Sequence, residues 1–268
     1  MPDRIDERRK RELEHHDRLY AGEAQRLFGL PGPRAFRRHH VRRIVRLCEL
    51  RSHHRILSLG CGIGDTELLL ARYVESITGV DLSAKAIEQA RSDAAAAGVR
   101  NVEFFEGDGS LIRGQYDAVL AIFFLHHLSD EELHEFPRRL LRWLRPEGVF
   151  YAIDPNRLRL SGAVGKVVIP KLMKKYQTED ERELDPRWLS ERFETAGWSV
   201  RCSIYDFLST PLAGVYPQSA AAYWVARGID DVVTRIPLVR RLGSNFEIVA
   251  RLSGKVAPVK PFPALEGC

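Results

Sequence analysis

The 268-residue sequence predicts an α/β fold built on a doubly wound, mostly parallel sheet. Three observations predict it. Short apolar runs alternate with helical spacings from residue 55 to residue 154. The first run enters a glycine loop, Gly60-Cys61-Gly62-Ile63-Gly64. Two further strand-like runs follow late in the chain, after residue 198.

Residues 4–28 are highly charged with sparse apolar positions, which fits one or two exposed amphipathic helices. Gly29 and the Pro31-Gly32-Pro33 cluster break them. Residues 34–50 form the next helix, with Val41, Ile44, Val45, Leu47, Cys48 and Leu50 inward. Arg55–Leu59 is the first strand, and helical spacing resumes from Asp65 to Tyr73. Ser76–Val80 is the second strand, ending at Asp81, and Leu82–Ala97 is an alanine-rich helix. Val102–Phe105 and Tyr116–Ile122 are the third and fourth strands. A helix runs from Asp130 to about Leu144 with Ser129 as its N-cap. Pro146-Glu147-Gly148 turns the chain into a fifth strand, Val149–Asp154. A helix at Pro186–Ala196 precedes strands at Ser199–Phe207 and Phe246–Leu252, with helical stretches inserted between those two. Strands linked through helices pair in parallel by right-handed crossovers. The chain thus divides into an N-terminal helical cap (1–52), a sheet domain (53–253) with insertions at about 156–184 and 209–244, and a loose tail (254–268) rich in Pro and Lys.

Composition narrows the class. Hydrophobic residues are 44% and charged residues 29%, which excludes global disorder, collagen and coiled coil. The longest apolar run, Ala118–Leu125, is far short of the roughly 18 residues a bilayer span needs. Met1–Lys10 lacks the apolar core of a secretory signal. Cys48, Cys61, Cys202 and Cys268 are widely spaced, as reduced thiols are, so neither a disulfide framework nor a bound metal is expected, and the location expected is cytoplasmic. The net charge of +5 is uneven. Residues 1–55 hold 15 basic and 8 acidic residues, and the remainder holds 26 and 28. A basic segment of this kind suits nucleic acid, an anionic membrane, an anionic substrate or a solvated helix face.

The glycine loop carries the chemistry. Its glycines let the backbone approach a ligand, and the following helix offers free N–H groups. The spacing is G-x-G-x-G, not the G-x-G-x-x-G of dinucleotide enzymes, which disfavours an NAD-dependent oxidoreductase. Asp81, 17 residues after Gly64, ends the second strand, where a carboxylate can accept both ribose hydroxyls of an adenosine. Gly107-Asp108-Gly109 follows the third strand, where a carboxylate can receive an adenine amino group.

Five segments stand in order and register: LSLGCGIGD (57–65), GVDLS (79–83), FEGDG (105–109), YDAVLAIFFLHHL (116–128) and LRPEGVF (144–150). Together they resemble the class I S-adenosylmethionine-dependent methyltransferases of the small-molecule type, over about residues 54–155. The resemblance implies a Rossmann-like methyltransferase fold with a seven-stranded sheet, its last strand inserted antiparallel between the fifth and sixth. It implies S-adenosylmethionine as cofactor and S-adenosylhomocysteine as product. It also implies cofactor binding by Ser58, Gly60, Cys61, Gly62, Gly64, Asp81, Leu82, Gly107, Asp108, Gly109, Ile122 and Phe123. Ser58 is a departure, because the family usually has Asp or Glu there to help hold the methionine amino group. A hydroxyl supplies no charge, so a cofactor-binding protein without turnover is one alternative.

Methyl transfer from a sulfonium is an in-line displacement with a good leaving group, so positioning and desolvation dominate. A base is needed only where the nucleophile holds its proton. The segment Ile122–Leu128 lacks the signatures of nucleic-acid amino-group and protein arginine enzymes. Its FFLHHL form resembles enzymes acting on quinones, sterols and natural products. His126 is the first candidate for a base or substrate-orienting group and His127 the second, although either can serve only to pack. Tyr20, Asp154 and Tyr176 are candidate substrate contacts. From Pro155 to Thr178 no acidic residue occurs, and Arg and Lys interleave with apolar residues. That surface suits an anionic amphiphile or a membrane headgroup region, and equally a lid with a solvated face. The second insertion, with Tyr216, Tyr223 and Trp224, is expected as the other wall of the pocket. The expected function is C- or O-methylation of a small hydrophobic or amphiphilic, anionic molecule. The runner-up is an RNA methyltransferase, suggested by the basic N-terminus. No added RNA-binding module is visible, so nucleic acid is disfavoured as a partner.

Overall fold

The computed structural model describes residues 14, 17, 29–161 and 183–252. Its strands are β1 (Arg55–Leu59), β2 (Ser76–Asp81), β3 (Val102–Glu106), β4 (Tyr116–Ile122), β5 (Leu144–Pro155), β6 (Trp198–Asp206) and β7 (Asn245–Leu252). They form one sheet in the order β3-β2-β1-β4-β5-β7-β6. β7 runs antiparallel to both neighbours, and the pairings from β3 to β5 are parallel. The described helices are α1 (Pro31–Leu47), α2 (Asp65–Leu70), α3 (Ala84–Ala96), α4 (Asp130–Arg139), α5 (Pro186–Thr195), α6 (Ser209–Val215) and α7 (Ala220–Val233).

Alternation along the central strands builds two cores. Ile56, Ala118, Leu120 and Tyr151 face a layer holding Phe36 and Ile44 of α1, with Tyr205 and Tyr223. Leu57, Val119, Ala121 and Phe150 face the opposite layer, with Leu133 and Phe136 of α4 and Phe193 of α5. A strand buried on both faces reads as an unbroken apolar run, as Ala118–Ile122 of β4 does.

Several boundaries move for identifiable reasons. α1 starts at Pro31, not at residue 34, because proline in a first turn lacks only an N–H that would be unpaired anyway. α3 starts at Ala84, where the Ser83 side chain accepts from the Ala86 amide at 3.1 Å. α4 carries the expected Ser129 cap, completed as a capping box by Glu132. β5 begins at Leu144, and its pairing with β4 shifts register across the Pro146–Gly148 stretch. Residues 1–13, 15–16, 18–28, 162–182 and 253–268 are outside the described residues, and with them Tyr20, Tyr176, the tail and most of the acid-free segment. No described helix is long and apolar enough to cross a membrane.

Candidate functional site

The sheet's carboxyl edge gathers the motif residues. The loop after β1 is tied to the end of β2 by hydrogen bonds from Cys61 N to Val80 O (3.1 Å) and from Gly62 N to Asp81 Oδ2 (2.8 Å). Ser83 N donates to Asp81 Oδ1 (2.9 Å), and Gly107 N donates to the Asp81 carbonyl (2.8 Å). Asp81 therefore organises three motif segments. Burial pushes its carboxyl up, and the Ser83 and Gly62 amides partly oppose that. Asp17 lies on the same turn, accepting from Ser83 Oγ at 2.6 Å.

Glycine is required at two loop positions. Gly60 and Gly64 have φ of +65° and +73°, and a Cβ on either would lie 2.5 Å from the ring of Phe124 or Phe104 respectively. Cys61 is buried, and burial raises its thiol well above its ordinary value, so it packs rather than reacts. Leu82 is 44% exposed at the end of β2, an apolar surface beside Asp81. Asp108 is exposed, and its Oδ1 accepts from Ser110 N at 2.9 Å, closing the turn after β3. Gly109 is buried.

Ser58 is fully enclosed and donates from Oγ to Glu67 Oε1 at 2.6 Å. Glu67 sits in the first turn of α2, is itself buried, and its Oε2 has no hydrogen-bond partner. Burial pushes its carboxyl up to about 7, against the lowering effect of the Ser58 hydrogen bond. The sequence reading missed Glu67. Its signal was an acid immediately before the apolar run Leu68-Leu69-Leu70 just behind the loop, but only the fold brings it to Ser58.

The second cluster lies at the ends of β4 and β5. Ile122 is buried at the strand end, and Phe123 adopts φ of +53° while its amide donates to Ile153 O (2.8 Å). A non-glycine residue in that region carries strain held by its surroundings, a pattern concentrated at functional sites. A single 3₁₀ turn, Leu125–His127, follows. His126 Nδ1 lies 2.8 Å from Asp154 Oδ1, which also accepts from the His126 amide at 3.2 Å. Asp154 has no exposed surface, and burial holds its carboxyl well above its ordinary value. His126 stands against Oδ1 of Asp154, and Oδ2 of the same buried carboxyl has no hydrogen-bond partner among the described residues. His126 and His127 have ring centroids 4.0 Å apart, and the proximity of His127 is one of the smaller influences lowering the Asp81 carboxyl. Within the second insertion, Tyr223 is a packing residue. Its ring is fully buried, and its hydroxyl meets His39 Nδ1 of α1 at 2.7 Å.

Residues 56–148 match the family model described as a methyltransferase domain. An uncharacterised methyltransferase, YcgJ of Bacillus subtilis, is 32% identical over 114 residues, 41% of this chain and 44% of the relative. The chain thus spans less than half the length of that relative. A ubiquinone biosynthesis O-methyltransferase of Methylobacterium nodulans is 29% identical over 173 residues, 61% of this chain and 67% of the relative. Among solved structures, the cyclopropane synthase MmaA2 of Mycobacterium tuberculosis aligns with a TM-score of 0.57 at 15% identity, over 79% of this chain and 82% of that one. That likeness concerns the fold, which is the Rossmann-like methyltransferase fold expected from the sequence.

Proposed function

We propose that the chain is a class I S-adenosylmethionine-dependent methyltransferase that methylates a small hydrophobic or amphiphilic molecule at oxygen or carbon, a reading supported by the match of residues 56–148 to the methyltransferase domain model. The observation that carries the reading is the His126–Asp154 pair at the same sheet edge as the glycine loop.

The residues present fit the family's cofactor. Bound S-adenosylmethionine supplies an electrophilic methyl on a sulfonium. Asp81 is held by two amides, and each carboxylate oxygen keeps a lone pair for a ribose hydroxyl. Asp108, Leu82 and the Gly107–Gly109 turn would flank the adenine. Glu67 would offer its unpaired Oε2 to the methionine ammonium, with Ser58 orienting it from behind. The carboxylate usually supplied from β1 would then come from α2. Gly60–Gly64, Ile122 and Phe123 would shape the space between.

His126 would take the acceptor's proton. An ionised Asp154 would accept from Nδ1, which would leave Nε2 as the basic nitrogen, and would stabilise the imidazolium formed. An acceptor with a proton to lose, such as a phenol or an enol, needs such a group. The ubiquinone O-methyltransferase relative lends weight to a quinol-like acceptor. The test is incubation with S-adenosylmethionine and a panel of phenolic, enolic and lipid acceptors, reading S-adenosylhomocysteine by mass spectrometry. Release with a phenol or enol, lost in His126→Ala, supports the reading. Tight cofactor binding without release from any acceptor rejects it in favour of a binding protein without turnover.

A further inference from the structure

α7 is built inside out. Its buried residues include Tyr223, Arg227 and Asp230. That inward polarity is satisfied. Asp230 accepts from the amides of Phe207, Leu208 and Ser209 at 2.9–3.1 Å, and Arg227 donates to the Tyr205 carbonyl at 2.9 Å. The outward face is apolar. Val225, Ile229, Val232 and Ile236 recur at steps of three and four and fall on one side of the helix and the turn after it. Val225 is 67% exposed and Val232 63%, and Leu238 just beyond is 76% exposed. A contiguous apolar face of this kind on a folded surface marks an interaction site.

The charges around it favour one occupant. Arg235, Arg240 and Arg241 follow the stripe, all exposed and without an ion-pair partner among the described residues. α1 packs beside α7 through His39, whose ring lies 5.7 Å from that of Trp224. Its own outer side carries Arg34, Arg38 and Arg42, spaced four apart and likewise unpaired among the described residues. The acids of residues 207–244 are Asp230, which is buried, and Asp231, which is tied to Arg227 at 3.0 Å. Trp224 is half exposed at the border, where an indole suits a lipid–water interface. A two-fold contact with a second copy would set arginine against arginine. We propose that the exposed face of α7 and its following turn seats the protein on an anionic lipid surface. The apolar stripe would enter the acyl boundary and the arginines would meet the headgroups.

The test is co-sedimentation of the full chain with vesicles of phosphatidylcholine, with and without phosphatidylglycerol. Expected is binding to the anionic vesicles that weakens with salt, and little binding to the neutral ones. Ile229→Asp with Val232→Asp should lower the bound fraction about tenfold or more while leaving the melting temperature and S-adenosylhomocysteine affinity unchanged. Replacing Arg235, Arg240 and Arg241 with Ser should weaken anionic binding and flatten its salt dependence, a second readout should the first variant fold poorly. No sedimentation with anionic vesicles, or equal binding by both variants and wild type, overturns the proposal. So does a wild-type dimer that becomes monomeric in the Asp variant with no vesicle binding, because a second copy would then own the face.

Discussion

Two buried carboxylates face the same sheet edge and are partnered differently. On the glycine-loop side, Glu67 rests against a neutral hydroxyl, Ser58, and keeps Oε2 unpaired. On the β4–β5 side, Asp154 likewise keeps one oxygen, Oδ2, unpartnered, but its Oδ1 rests against an imidazole that can itself take a proton. Burial raises both carboxyls. The difference is in what each can do about it. Glu67 gains most by meeting a cation from outside, which is a binding role. Asp154 gains most when His126 becomes charged, which is a role in a proton transfer. On the proposed reading, one side of the edge would hold and the other would react.

Variants separate the two sides. On the reacting side, His126→Ala should lower kcat by about 10²–10⁴ with a phenolic acceptor while cofactor affinity stays near wild type. Asp154→Asn should lower kcat less and shift its pH profile, since the ring loses its orienting charge. If both variants lose cofactor affinity instead, the division between the sides fails. On the holding side, Asp81→Ala removes the carboxylate that accepts from the Gly62 and Ser83 amides and would face the ribose, and calorimetry should show an affinity loss of about 100-fold. Gly64→Ala should cost about 2 kcal/mol of stability, read as a lower melting temperature, from its left-handed backbone and the Phe104 ring. The smallest effect is the most specific. An ammonium beside Glu67 favours its ionised form, so cofactor binding releases the proton that the apo protein holds. Affinity should then tighten about tenfold between pH 6 and pH 8, and Glu67→Gln should abolish that slope. The sign for stability is opposite. The folded carboxyl is raised from 4.5 to about 7, so its contribution to apo stability is complete below 4.5 and is lost as pH rises through about 7.

The holding side was the more legible in sequence. Strand ends, glycine loop and Asp81 are local patterns, because apolar runs with glycine punctuation dictate where a chain turns. The position of β7 between β5 and β6 came from the family resemblance and not from any local pattern. Ser58 looked like a missing charge only because the replacement acid, nine residues on, is brought to it by a strand–loop–helix turn. Asp154 was legible as a residue of the site but not as a buried one, since spacing along β5 does not reveal which ring closes over it. The faces of α7 were not legible for a related reason. Its period gives a helix, but only tertiary packing decides that Arg227 and Asp230 turn inward while Ile229 and Val232 turn out.

The antiparallel strand β7 also bears on how the molecule is made. β5 and β6 are neighbours in sequence among the strands, yet they never pair with each other, because Asn245–Leu252 lies between them. During synthesis both strands are complete while their facing edges still lack a partner. Bare strand edges recruit other chains. The half-made protein is therefore at its stickiest just before β7 leaves the ribosome, and a chain halted before Asn245 would carry two open edges that the finished sheet does not have.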